Sequence, residues 1–128
     1  MDAAQFNQVI RAFGEQVVPR LVQTAQRKIC LDGLSKLVKR TPVDTGRARG
    51  NWQVGINQQP RGDTGRLDPA GDSTIAGGNA AIQQLPPFCI CHITNNVDYI
   101  LDLENGHSAQ APNGMLAVTF EELVSSLK

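Results

Sequence analysis

The apolar residues between Ala4 and about Arg40 recur mostly every three or four positions: Phe6, Ile10, Phe13, Val17, Leu21, Ala25, Ile29, Leu34 and Leu37. That interval follows the turn of an α-helix and predicts one long amphipathic helix over residues 1–40, or two shorter helices folded back between Gly14 and Pro19. Pro19 lacks a backbone donor and should kink the helix, and Gly14 and Gly33 weaken it. Thr41 precedes Pro42, and a residue in that position is pushed out of helical geometry, so the helix ends there. A single helix of this length would reach on the order of 50 Å. A chain of this size does not need that much to cover its own core, and part of the helix should project toward a neighbour.

Beyond Pro42 the period changes. Asn51 to Asn57 alternates Trp52, Val54 and Ile56 with polar neighbours, the signature of a strand with one buried face. Residues 58–72, QQPRGDTGRLDPAGD, carry Gly, Pro and Asp at turn density and read as a flexible loop. Asp72 or Ser73 could cap a short helix through about Leu85, with Gly77 and Gly78 as its weak points and Pro86 and Pro87 as its stop. Phe88 to Thr94 is apolar on both faces, which places this strand centrally in a sheet. Asn95 and Asn96 make a turn, Val97 to Leu103 is extended or helical, and Asn105-Gly106 turns the chain again. Leu116, Phe120, Leu123, Val124 and Leu127 return to helical spacing after Pro112. The expected architecture is α+β over one domain, residues 1–128: a long N-terminal helix packed on a small, mainly antiparallel sheet, with a short middle helix and a C-terminal helix.

Composition limits what this architecture can bury. A chain of 128 residues hides roughly two-thirds of its extended surface on folding. Its aromatic side chains are only Phe6, Phe13, Trp52, Phe88, Tyr99 and Phe120, so the core is modest and subunit contacts should supply part of the stability. The formal net charge is zero, which removes an argument from overall basicity for nucleic-acid or membrane binding. The charge is nevertheless polarised: residues 1–50 hold nine Lys or Arg against four Asp or Glu, and residues 51–128 hold three against eight. Subunits of this kind can join basic surface to acidic surface, head to tail; the same split also fits a basic helix shielding an acidic sheet within one monomer. Cys30, Cys89 and Cys91 form no even disulfide framework, the N-terminus has no signal-peptide order, and no apolar run reaches the length of a membrane span. These features point to reduced thiols, synthesis in a cytoplasm and no membrane partner.

Four groups invite a chemical reading. Asp-Thr-Gly occurs at Asp44-Thr45-Gly46 and again at Asp63-Thr64-Gly65, resembling the catalytic turn of aspartic proteases, but each is followed by Arg and neither emerges from an apolar strand. Turn chemistry accounts for both. Cys89, Cys91 and His92, with Cys30 or His107, suggest a metal site, yet a strand puts His92 on the opposite face from the two cysteines. Tyr99, Asp102, Glu104 and His107 contain a carboxylate and a histidine, with no nucleophile or oxyanion site beside them. Arg61-Gly62-Asp63 is an integrin-type triplet in a loop where such residues are commonplace. No catalytic, cofactor-binding or metal-binding residue is assigned, and the chain reads as a non-enzyme. Arg11, Arg20, Arg27, Lys28, Lys36, Lys39 and Arg40 along the long helix leave an alternative, a small nucleic-acid-binding module.

Two stretches, TPVDTGRARGNW from Thr41 to Trp52 and YILDLENGHSAQAPNGM from Tyr99 to Met115, together resemble the neck and tail-completion proteins of long-tailed bacteriophages. That family includes proteins similar to the minor tail protein Z of lambda-like phages. The resemblance lies in Pro42-Val43-Asp44-Thr45-Gly46-Arg47 after a long helix, in Asn95, Asn96 and Tyr99, and in Leu103 to Ser108 followed by Gln110-Ala111-Pro112 and Gly114-Met115. It implies a virion structural protein made in the bacterial cytoplasm that forms a six-fold ring with itself at the head-tail junction. Such a ring touches the head connector on one side and the tail terminator or tail tube on the other, and genomic DNA passes through its lumen. On this reading Arg47 and Arg49 face Asp102, Glu104 and His107 across the subunit interface. Pro42, Asp44, Gly46, Asn105, Gly106 and Pro112 then form the structural turns.

Overall fold

A computed structural model describes residues 1–127. The architecture is α+β, with a long N-terminal helix, a two-stranded antiparallel sheet and further helices. Helix α1 (Ala3–Ala12) begins with a capping box: the Asp2 carboxylate accepts the Gln5 N–H at 2.8 Å and the Gln5 side chain accepts the Asp2 N–H at 2.9 Å. A π-helical segment (Phe13–Val17) leads directly into α2 (Val18–Arg40), and the backbone stays right-handed helical at both junctions. The chain therefore does not fold back between Gly14 and Pro19. Pro19 would crowd the carbonyl of Glu15 in a regular α-turn; the wider turn, in which the Val18 N–H bonds the Phe13 carbonyl, takes up that conflict. The continuous helix is roughly 55 Å long. It stops where Thr41, ahead of Pro42, turns extended at φ −68° and ψ 129°.

Only the second half of this helix belongs to the body. Residues 1–17 are exposed throughout, whereas Leu34, Leu37 and Val38 are buried. Against this half pack β1 (Trp52–Ile56), α4 (Asp72–Ile82), β2 (Cys91–Asn95) and α6 (Leu116–Ser126). Strands β1 and β2 pair with Val54 opposite Ile93 and Ile56 opposite Cys91, so these side chains share the face turned to α2. The core is completed by Trp52, Ile82, Leu85, Ala111 and Met115. One small residue lets two helices approach: a Cβ at Gly78 on α4 would collide with Leu34 on α2.

Three expectations are corrected. The second strand is not central, because among the described residues the sheet has only two strands and each keeps a free edge. It starts at Cys91 rather than Phe88: Phe88 takes a left-handed φ of 61°, and Phe88 and Ile90 point outward. Side-chain amides supplement a single backbone bond there, from the Asn57 N–H to the Ile90 carbonyl at 2.7 Å. Gln26 accepts the Phe88 N–H at 3.1 Å and donates to the Cys89 carbonyl at 2.9 Å, and Asn57 accepts the Ile90 N–H at 2.9 Å. The stretch 58–72 runs without strand and leads into α4, as a loop, and hydrogen bonds tie it to the body. The Thr64 hydroxyl donates to the Gly50 carbonyl at 2.8 Å, the Thr64 N–H donates to the Asn51 side-chain oxygen at 3.1 Å, and the Asp68 N–H bonds the Gly46 carbonyl at 3.1 Å. Asp68, rather than Asp72 or Ser73, caps α4, accepting from the Gly71 N–H and from both the N–H and hydroxyl of Thr74.

Candidate functional site

The stretch from Thr41 to Trp52 is a polar clasp on the C-terminal end of α2. Thr41 is fully buried; its hydroxyl donates to the Leu37 carbonyl at 2.6 Å and accepts the Trp52 indole N–H at 2.7 Å. Arg49, on the short helix α3 (Arg47–Gly50), donates to the carbonyls of Thr41, Lys39 and Pro69 at 2.8, 2.9 and 2.8 Å. It thus satisfies carbonyls that a helix end leaves open and sets a cation at the negative end of its dipole. Buried Asn51 donates to the Arg47 carbonyl at 2.8 Å. Gly46 makes the clasp possible: its φ is 89°, and a Cβ there would lie 2.5 Å from the Pro69 nitrogen.

The stretch from Tyr99 to Met115 is a second clasp, built on one carboxylate. Helix α5 (Ile100–Glu104) ends at the Asn105-Gly106 turn, and Glu104 reaches across to accept the N–H groups of Met115, Leu116 and Ala117. These open α6, which has no side-chain cap of its own at Met115, so Glu104 supplies the cap and the anionic partner for the helix dipole. A Cβ at Gly114 would strike the Glu104 carbonyl and one at Gly106 the Pro112 carbonyl, which explains both glycines. The two clasps are bolted together by Gln110, whose amide accepts the Val43 N–H at 2.9 Å and donates to the Val43 carbonyl at 3.0 Å. Between them lies a groove of about 210 Å³ lined in part by Pro42, Asp44, Arg47, Tyr99 and Ser108.

The residues expected at a subunit interface divide into two sets. Arg49 and Glu104 are committed within the chain as described. Arg47 pairs with Asp63 at 2.7 Å, lies 3.7 Å from Asp98 and stands 5.6 Å from the centroid of the Tyr99 ring. The Gly65 N–H, followed by Arg47, holds the Asp63 carboxyl below its ordinary range, and Asp63 in turn raises Arg47. The second Asp-Thr-Gly triplet is therefore a hydrogen-bonded turn, and Asp44 of the first is exposed. Asp102 and His107 stay exposed 3.8 Å apart, as does Pro112 nearby.

The basic row on the long helix also divides. Lys36 and Arg40 bind Glu122, and Lys39 binds Asp72, whereas exposed Arg11, Arg20 and Lys28 and half-buried Arg27 have no ion-pair partner among the described residues. Cys30 and Cys91 lie thiol to thiol between α2 and β2; the hydrogen bond to Cys91 draws Cys30 down to about 7 and pushes Cys91 up. Among the described residues, no three His, Cys, Asp or Glu side chains gather as a metal-ligand set, and no helix is long and apolar enough to cross a membrane.

Apolar surface falls in two places, the outer helix, where the sequence predicts a projection toward a neighbour, and helices α5 and α6, where it predicts none. Phe6, Val9, Ile10, Phe13, Val17 and Leu21 form a stripe along the outer helix, and Phe13 is still 53% exposed. On the body, Leu101, Leu116, Phe120 and Leu127 are more exposed still, Leu101 at 72%. In α6 the fully buried position is Thr119, which accepts from Arg40 at 3.0 Å, and the apolar face of that helix is turned outward. Spacing along α6 carries no sign of this, because packing against α2 decides which side is buried. The chain matches no protein-family model, no curated protein and no solved structure.

Proposed function

We propose that this chain is a virion structural protein that assembles with itself into a ring at the head-tail junction of a long-tailed phage. There it joins connector to tail and leaves a lumen for the DNA. The observation that carries the assembly reading is the outer helix: residues 1–17 are exposed throughout and present an apolar stripe to solvent. A helix of that length without tertiary packing is marginal in water, and contiguous apolar patches of this kind mark association sites. The resemblance of the Thr41–Trp52 and Tyr99–Met115 stretches to phage neck proteins supplies the location. The first clasp suits such a role, because it fixes the angle between the helix and the body through buried and partly buried hydrogen bonds.

The alternative of a nucleic-acid-binding helix is weakened by the ion pairs that occupy Lys36, Lys39 and Arg40. That leaves Arg11, Arg20, Arg27 and Lys28, fewer phosphate contacts than a steep salt dependence needs. The test is to delete the gene in its phage and add purified protein to the lysate. Filled heads and tails that stay apart until the protein is added support the neck assignment. Joined, infectious particles formed without it overturn the assignment, and tight, strongly salt-dependent DNA binding would replace it.

A further inference from the structure

We infer that the apolar stripe of the outer helix docks into the groove between α5 and α6 of a second copy of this chain, head to tail. This deepens the assembly reading by naming the two surfaces that join. The donor is the row Phe6, Val9, Ile10, Phe13, Val17 and Leu21. The acceptor is a largely apolar groove of about 280 Å³ lined in part by Trp52, Ile93, Ile100, Leu101, Met115 and Leu116, with Glu104 among its polar members. Exposed Phe120 and Leu127 extend it along α6.

Two observations select a second copy as the occupant. First, the areas suffice. Six half-exposed side chains cover on the order of 500 Å² on the donor, and burying them against an acceptor of similar extent reaches about 1,000 Å², the lower bound of a specific interface. Second, one molecule carries both unpartnered surfaces, and they are different surfaces. Pairing stripe to stripe would cover one and leave the other wet; stripe to groove covers both and repeats from copy to copy, as ring closure needs.

Two variants test this: a donor variant, Ile10→Asp with Phe13→Asp, and an acceptor variant, Leu101→Asp with Phe120→Asp. All four positions are exposed in the subunit, and circular dichroism and urea melts confirm that each variant folds. Sedimentation velocity and native mass spectrometry then read association across a concentration series. The wild-type chain should form assemblies larger than a dimer, and each variant alone should associate at least about 100-fold more weakly. An equimolar mixture should yield a dimer and nothing larger, since only one intact stripe and one intact groove remain.

An acceptor variant that still associates alone would show stripe-to-stripe pairing and overturn the inference. So would a wild-type chain that stays monomeric at every concentration, or a mixture that stays monomeric while the wild type assembles. If both variants still form rings, the inference fails and the ring reading stands. If the mixture dimerises but heads and tails join without the protein, the neck assignment fails and the inference stands.

Discussion

The outer and inner halves of the same helix solve opposite problems. The inner half, from about Ile29 to Arg40, is held on every side: Leu34, Leu37 and Val38 are buried in the core, Arg49 covers its last carbonyls, and Glu122 ties Lys36 and Arg40 to α6. The outer half has an equally regular apolar row and no protein against it. Since the two rows look alike in sequence, amphipathicity alone does not tell a core face from a docking face. What separates them is the polar apparatus that appears only where the helix meets its own body.

That comparison breaks most sharply at the glycines of the clasps. Gly114→Val would force a side chain into the Glu104 carbonyl and carboxylate at a residue whose φ is 79°. The expected cost is about 3 kcal/mol or more, enough to lose the cooperative urea transition of a modest body. Glu104→Ala removes the cap of α6 and should cost about 1–2 kcal/mol in urea midpoint, and Glu104→Gln, which keeps an acceptor, roughly half as much.

Acid should loosen the body through Asp68. Burial favours its neutral form, but the hydrogen bonds from Thr74 and Gly71 outweigh that and hold the carboxyl below its ordinary 3.8. A carboxyl lowered in the folded state contributes stability that is present above its unfolded value and lost as pH falls through its folded one. Stability should therefore drop below about pH 4. The gap between the wild type and Asp68→Asn should close over the same range in pH-dependent melts. The smallest effect on stability belongs to the outer half. Phe13→Asp should change the unfolding free energy by less than about 0.5 kcal/mol while abolishing self-association, a split that sharpens the contrast between the two halves.

Much of the fold was legible in the sequence because it rests on local rules. The helical period, the stop at Pro42, the strand at Trp52 and the helix from Leu116 follow from spacing and from proline and glycine chemistry. What could not be read depends on long-range polar partners. Asp68 caps a helix from outside it, Gln26 and Asn57 stand in for strand bonds, and Arg49 and Glu104 look like surface charges until their backbone partners, far away in sequence, are in place. For the same reason the candidate interface was legible only as a helix reaching toward a neighbour and a charge split, without the surface that receives it. The outward turn of Phe120 and Leu116 depends on which side of α6 meets α2, and no periodicity states that.

The most direct measurement is amide hydrogen exchange of residues 3–17 against residues 29–38 over a dilution series of the purified chain. The inner segment should be protected at every concentration, because its hydrogen bonds open only with the body. The outer segment should exchange rapidly when dilute and gain protection in step with association, since its helix needs a second subunit to persist. Equal protection of both segments in the dilute monomer would mean that the outer helix is stabilised by its own body. An outer segment that stays unprotected at concentrations where the chain has assembled would mean that the stripe is not the joining surface. Either result would contradict the claim that this helix is built to meet another copy.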